Sequence, residues 1–256
     1  MNYLKKLEGK IALVTAAGQG IGYQIAVDLL ECGCDVIAHY LSSVEGIISL
    51  KKLAREKGRK ILALKADLTN PQQVKLMAEE IKKNFNNLDI LVNNAGGLVA
   101  RRKLEDIDQD FWNTVMDRNM LSMMLLTREM LPLLYKSGKS SIINISSLAG
   151  RKGGHAGSLA YSTSKGAVIT WTRSLSAELA PGGIRVNCVA PGLILGTAFH
   201  NQHSTKESID NTISNIPLQK AGTPGDVSRA VLFLASEFDG FITGITLDIN
   251  GGSYMA

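Results

Sequence analysis

Seven short runs of aliphatic and β-branched residues recur along the chain, each parted from the next by a helix-length stretch, and this rhythm constrains the fold most. The runs fall at 11–15, 35–40, 61–67, 88–93, 141–146, 185–190 and 246–249, while 44–57, 71–84, 109–134 and 160–179 show helical spacing. Strands apolar on both faces that alternate with helices predict an α/β fold, a doubly wound parallel sheet of about seven strands with helices on both faces. No repeat or linker divides the sequence, so one domain over 1–256 is expected. Ligands then sit at the carboxyl ends of the strands. Residues 192–217 break the rhythm with a polar excursion at that end; a substrate lid is expected there, with a packed surface insertion as the alternative.

The 28 basic and 23 acidic side chains leave a net charge of +5 without any run of one sign. This weakly favours anions and gives no nucleic-acid signature. The longest apolar stretch, around 116–134, is broken by Asp117, Arg118, Asn119, Ser122, Arg128 and Glu129, so no membrane span is expected. Cys32, Cys34 and Cys188 suit free thiols in a reducing compartment, and residues 1–10 lack an apolar signal core. The expected location is cytoplasmic.

After the first strand comes Thr15-Ala16-Ala17-Gly18-Gln19-Gly20-Ile21-Gly22, then a helical pattern. Glycines at 18, 20 and 22 let the backbone turn tightly, approach a pyrophosphate and pack helix on strand, and free N–H groups at the helix start attract the anion. About 20 residues on, a carboxylate commonly grips the adenosine ribose. That window reads His39-Tyr40-Leu41-Ser42-Ser43, with no acid. NADP(H) is therefore favoured and NAD(H) is the alternative, with His39, the serines and the next helix start as donors to a 2′-phosphate. Ser42 and Glu45 could equally form a capping box and nothing more.

Tyr161 and Lys165 stand four apart at the start of a helical pattern, which sets phenol and ammonium side by side. A positive charge beside a phenol lowers its pKa from near 10, as a proton shuttle between carbonyl and alcohol needs. Ser147 ends the fifth strand at the ligand side, where its hydroxyl can meet the substrate oxygen or merely cap a turn. Together these residues suit an oxidoreductase in which Tyr161 passes a proton to or from a substrate oxygen; the Tyr161–Lys165 spacing alone would equally fit a solvated helix surface.

Here the sequence resembles the short-chain dehydrogenase/reductase family, from about Leu7 to Tyr254. The resemblance rests on the 15–22 turn, Asp67, Asn93-Asn94-Ala95-Gly96, Asn119, Ser147, Tyr161, Lys165, Pro191-Gly192 and Asn250-Gly251-Gly252. It implies a single-domain Rossmann fold and the catalytic set Asn119, Ser147, Tyr161 and Lys165. Asn119 would anchor a water relay, and Lys165 would hold the nicotinamide ribose and lower the Tyr161 pKa. Asp67, followed by Leu68, would accept from the adenine amino group. Asn93 would stabilise the central strand, Gly96 would lie near the adenosine ribose, and Pro191, Gly192, Ile194 and Thr197 would meet the carboxamide. The resemblance also implies a homotetramer paired through the helices bearing Asn119 and Tyr161. Three departures stand out: Ala16 replaces a usual glycine, the Ser147–Tyr161 gap is one residue long and holds Gly153, Gly154 and Gly157, and 191–197 is one residue long.

The substrate should be a small-molecule carbonyl or alcohol. Many members of this general look are 3-oxoacyl-[acyl-carrier-protein] reductases, a default alternative. More narrowly, Gly96-Gly97-Leu98-Val99-Ala100-Arg101, Gly196-Thr197-Ala198-Phe199-His200 and Leu247-Asp248-Ile249-Asn250-Gly251-Gly252 are similar to reductases of α-keto uronates. Such a substrate wants cations and polar donors. Arg101, Arg102, His155 and His200 are the candidate substrate residues, with Arg151 and Lys152 nearby; solvated rim charges are the alternative. His200 and His203 lack companions for a metal, and none is expected. The methionines and leucines of 116–126 read as core and subunit contact. A non-catalytic dinucleotide-binding regulator, and a lyase or epimerase on the same fold, are the competing functional classes.

Overall fold

A computed structural model describes residues 7–197, 205–236 and 240–256. Seven parallel strands form one sheet in the order β3-β2-β1-β4-β5-β6-β7. They are β1 (Ile11–Val14), β2 (Asp35–Tyr40), β3 (Ile61–Lys65), β4 (Ile90–Asn93), β5 (Ser140–Ile145), β6 (Ile184–Pro191) and β7 (Thr246–Ile249). All seven predicted strands are present, within about two residues at their ends. β4 and β5 are buried along their whole length, which explains why their sequences do not alternate.

Two apolar cores lie on opposite faces. On one, α1 (Gly20–Glu31), α2 (Val44–Glu56) and α9 (Pro224–Ala235) bury Ile25, Leu29, Leu50, Val227, Val231 and Leu234. On the other, α3 (Pro71–Asn84), α5 (Ser122–Ser137) and α7 (Leu159–Leu179) bury Ile81, Leu126, Met130, Leu133, Leu175 and Leu179. Caps set the helix starts. Asn70 accepts from the Gln72 and Gln73 amides ahead of Pro71, and Thr223 forms a capping box with Asp226 around Pro224. The Ser42–Glu45 box foreseen for α2 is absent: the cap is Ser43, with no side-chain bond.

The predicted helix 109–134 is really two. α4 (Gln109–Met116) passes through a π-helical stretch, Asp117–Leu121, into α5. The wider turn sets Asn119 inward, and such inserts mark functional positions. The polar excursion contains α8 (Lys206–Ser214), capped by Thr205. The short helices α4, α6 (Leu148–Lys152) and α8 surround the carboxyl edge of the sheet. The strand order reverses between β1 and β4, where such sheets open a crevice for ligands. No helix among the described residues is long and apolar enough to cross a membrane.

Candidate active site

A cleft of about 1140 Å³ opens over that edge. Its floor is the β1–α1 turn. Gly20 has φ +56, and a Cβ on Gly22 would lie 2.4 Å from the Ala16 carbonyl oxygen and 2.5 Å from Asn94 Nδ2. A Cβ on Gly18 would lie 2.3 Å from the Ser43 carbonyl oxygen. These glycines are therefore required by contact between backbones. α1 begins after Gln19 with no side-chain cap, so its first amides point into the cleft without a built-in acceptor. Thr15 is buried behind the turn, where its hydroxyl donates to the Val92 carbonyl and accepts from the Asn94 and Ala95 amides at 2.8 Å each. This floor fits a pyrophosphate.

The predicted cofactor residues divide into those that face the cleft and those that support it. Gln19, Gly20, Ile21, Asn94, Gly96, Pro191, Gly192, Ile194 and Thr197 line it. Asn93 is buried; its amide donates to Thr127 Oγ1 at 3.0 Å and Asn144 Oδ1 at 2.9 Å, tying β4 to β5 and α5 as foreseen. Leu68 departs from expectation, because its side chain is part of the core against α3. His39 departs too. It is 3% exposed, with Nδ1 accepting from the Ala16 amide at 3.1 Å and Nε2 donating to the Ala66 carbonyl at 3.0 Å. Both ring nitrogens are spent on backbone, and burial holds the imidazole pKa below its usual value, so His39 is no donor to a phosphate. Tyr40, Leu41 and Ser42 end β2 nearby, and Leu41 is exposed. Asp67 ends the β3 segment and spends Oδ1 on the Thr69 amide and hydroxyl.

The four predicted catalytic residues converge. Ser147 caps α6, accepting from the Ala149 amide at 3.1 Å, and also hydrogen-bonds Tyr161. Capping and substrate contact were alternatives in the sequence; the one hydroxyl caps α6 and also meets the Tyr161 phenol. Lys165 is buried, and its ammonium donates to the Ile145 carbonyl at 2.9 Å. Asn119 is fully buried, donating to the Gly97 and Val115 carbonyls and accepting from the Gly97 amide at 3.0 Å. A Cβ on Gly96 would lie 2.6 Å from Asn119 Oδ1 and 3.1 Å from Lys165 Nζ, so the glycine loop seats both groups.

The electrostatics correct one expectation. Burial pushes the Tyr161 phenol above its usual pKa, opposed by the Ser147 hydrogen bond. Lys165 does not offset this: its Nζ is 5.9 Å from the Tyr161 ring centroid and bonded to Ile145, and burial pushes it down to about 8. Tyr161 therefore keeps its proton across the neutral range.

Of the residues foreseen for a substrate, Arg101 and His155 line the cleft, as does Lys152. Arg102 and Arg151 do not. Arg102 pairs with Asp108 at 3.1 Å and lies over the Phe111 ring, and Arg151 holds Asp248 through two bonds at 3.1 and 2.9 Å. Their charges are structural. His200 and His203 lie outside the described residues. Sequence reasoning missed Ser253 and the α8 face of Ser208, Asn211, Thr212 and Asn215, all of which line the cleft. The three- and four-residue spacing of those small polar side chains was the available signal.

The profile of the family described as enoyl-(acyl carrier protein) reductase matches residues 15–254. A 3-oxoacyl-[acyl-carrier-protein] reductase of Haemophilus influenzae is 37% identical over 98% of this chain and 100% of its own length. Nodulation protein G of Azospirillum brasilense is 38% identical over 95% of this chain and 97% of its own. Among solved structures, an NADH-dependent reductase responsible for alginate metabolism superposes with TM-score 0.89 at 31% identity, covering 98% of this chain and 100% of the other. A DEH reductase mutant superposes with TM-score 0.90 at 32% identity, covering 99% and 100%.

Proposed function

The chain belongs to the short-chain dehydrogenase/reductase family and is a nicotinamide-dependent oxidoreductase, and we propose that it reduces a small polar keto acid or keto sugar of the uronate type. One observation carries the substrate reading: cationic and hydroxyl or amide side chains enter the cleft among its apolar residues Leu98, Leu148, Leu193 and Ile209 and the acidic Glu207. Arg101, Lys152 and His155 stand on one side, and Ser208, Asn211, Thr212 and Asn215 on the other. The cations suit a carboxylate, and the hydroxyl and amide groups suit a substrate's own hydroxyls. The solved relative named for alginate metabolism is in keeping with this. The second reading, reduction of 3-oxoacyl thioesters, is favoured by the curated relatives.

In this reading Tyr161 delivers the proton to the carbonyl oxygen, which Ser147 orients. A bound reduced nicotinamide supplies the hydride. Lys165 and Asn119, joined through the Gly96-Gly97 loop, hold the ribose side and the proton path. Residues 192–197 and α8 cover the substrate, since both contribute to the cleft wall. We favour NADP(H) over NAD(H), because β2 ends without a carboxylate and Lys65, exposed, stands beside Tyr40 in register on the same face of the sheet. Free thiols fit a reducing cytoplasm, and the homotetramer is the assembly we propose. The test is oxidation of NADPH and of NADH with α-keto uronates, simple keto sugars and oxoacyl thioesters. Faster turnover with a thioester, or with a neutral apolar ketone, would overturn the substrate reading. Failure to oxidise either cofactor with any carbonyl would favour a binding-only role.

A further inference from the structure

We infer that His39 is a positioning residue of the dinucleotide site, a neutral imidazole that clips the phosphate-binding turn into its working shape. The inference rests on the reading of that turn as a cofactor site. Ala16 stands where the turn requires φ +52, a left-handed conformation that a residue with a Cβ rarely adopts. Two consecutive amides there are held by one residue. The Ala17 amide donates to the His39 carbonyl at 2.8 Å, and the Ala16 amide donates to His39 Nδ1 at 3.1 Å.

An imidazole that accepts at Nδ1 while neutral carries its proton on Nε2, and that proton goes to the Ala66 carbonyl at 3.0 Å. The ring thus braces the β1–α1 turn against the end of β3, one residue before Asp67. At 3% exposure no water can replace either bond. A glycine at 16 would hold the left-handed turn without help, whereas alanine needs the ring. The alanine in the turn and the histidine 23 residues later are one device.

The geometry separates two conservative replacements. In His39→Asn the amide oxygen falls where Nδ1 was and keeps the Ala16 bond. In His39→Gln the amide reaches toward Ala66 but withdraws the acceptor from Ala16. Equilibrium binding of NADH and NADPH to the full chain should then be about tenfold weaker for His39→Gln and close to the parent for His39→Asn. Adding Ala16→Gly to His39→Gln should recover most of the loss. At saturating cofactor the loss in His39→Gln should appear in cofactor KM rather than in kcat. Similar melting temperatures for the Asn and Gln variants keep the comparison on binding. Equal losses in those two variants, or no recovery with Ala16→Gly, would overturn the inference. If the parent chain bound neither dinucleotide, the cofactor reading itself would fail, a result distinct from both.

Discussion

The two walls of the cleft are built from different material. The cofactor wall is backbone: Gly18 and Gly22 lie against the carbonyls of Ser43 and Ala16 where no Cβ could fit, and α1 offers uncapped amides. The wall proposed for the substrate is side chain: Arg101 and His155 reach in from exposed loops, Lys152 from the end of α6, and small polar groups line one face of α8. Even the joint between the loops is light, a hydrogen bond from the Arg102 amide to the Gly157 carbonyl at 2.9 Å and one from the Arg101 guanidinium to Ala156 at 3.3 Å. A backbone-built site tolerates almost no substitution, whereas a side-chain wall can change its occupant while the sheet stays as it is.

Chemistry sits where the walls meet, so the largest effect is expected there. Tyr161→Phe should lower kcat by about a thousandfold while dinucleotide binding persists, as titration of both against the parent would show. Near-normal turnover would remove Tyr161 from the mechanism. Gly22→Ala tests the cofactor wall alone. Its Cβ has no room, so cofactor affinity should fall about ten- to a hundredfold, with KM for the carbonyl little changed at saturating cofactor. Binding within twofold of the parent would mean that the turn is softer than its contacts suggest.

The pH profile probes the junction more gently. Burial holds Lys165 down at about 8, so its ammonium is complete below that pH and is lost as pH rises through it. Tyr161, pushed up by burial, keeps its proton over the same range. Reduction should therefore be flat below about 8 and fall about tenfold per pH unit above it, and Lys165→Arg should move the falling limb upward. A profile that stays flat well above this value would detach the ammonium from catalysis. The smallest effect belongs to the substrate wall. Replacing Arg101 and Lys152 together by alanine should raise KM for an anionic keto acid about fivefold, and leave a neutral ketone unchanged. The same rise for both substrates would show that those cations merely shape the rim.

Much of this was legible in the residues, and the misreadings share a cause. Apolar runs placed the seven strands within about two residues of those observed, because strands covered by helices on both faces are mostly apolar. The break at Asp117–Leu121 was hidden, since helical periodicity does not register one wide turn within a longer pattern. Arg102, Arg151 and His39 were read by side-chain type as ligands for anions. Each is already engaged: Arg102 by Asp108, Arg151 by Asp248, His39 by Ala16 and Ala66.

The sequence by itself determined the doubly wound sheet, the glycine turn and the side-by-side placement of Tyr161 and Lys165, because these depend on local periodicity and on spacings within single elements, whereas Asn119 was reached only through the family resemblance. Only the tertiary structure decided which charges are free to meet a ligand and what pKa the reacting pair adopts. A hydrogen bond between residues 97 apart in the chain, as for Arg151 and Asp248, is set by how strands stack, and desolvation is set by what covers a group. Neither is written in the neighbours of the residue concerned.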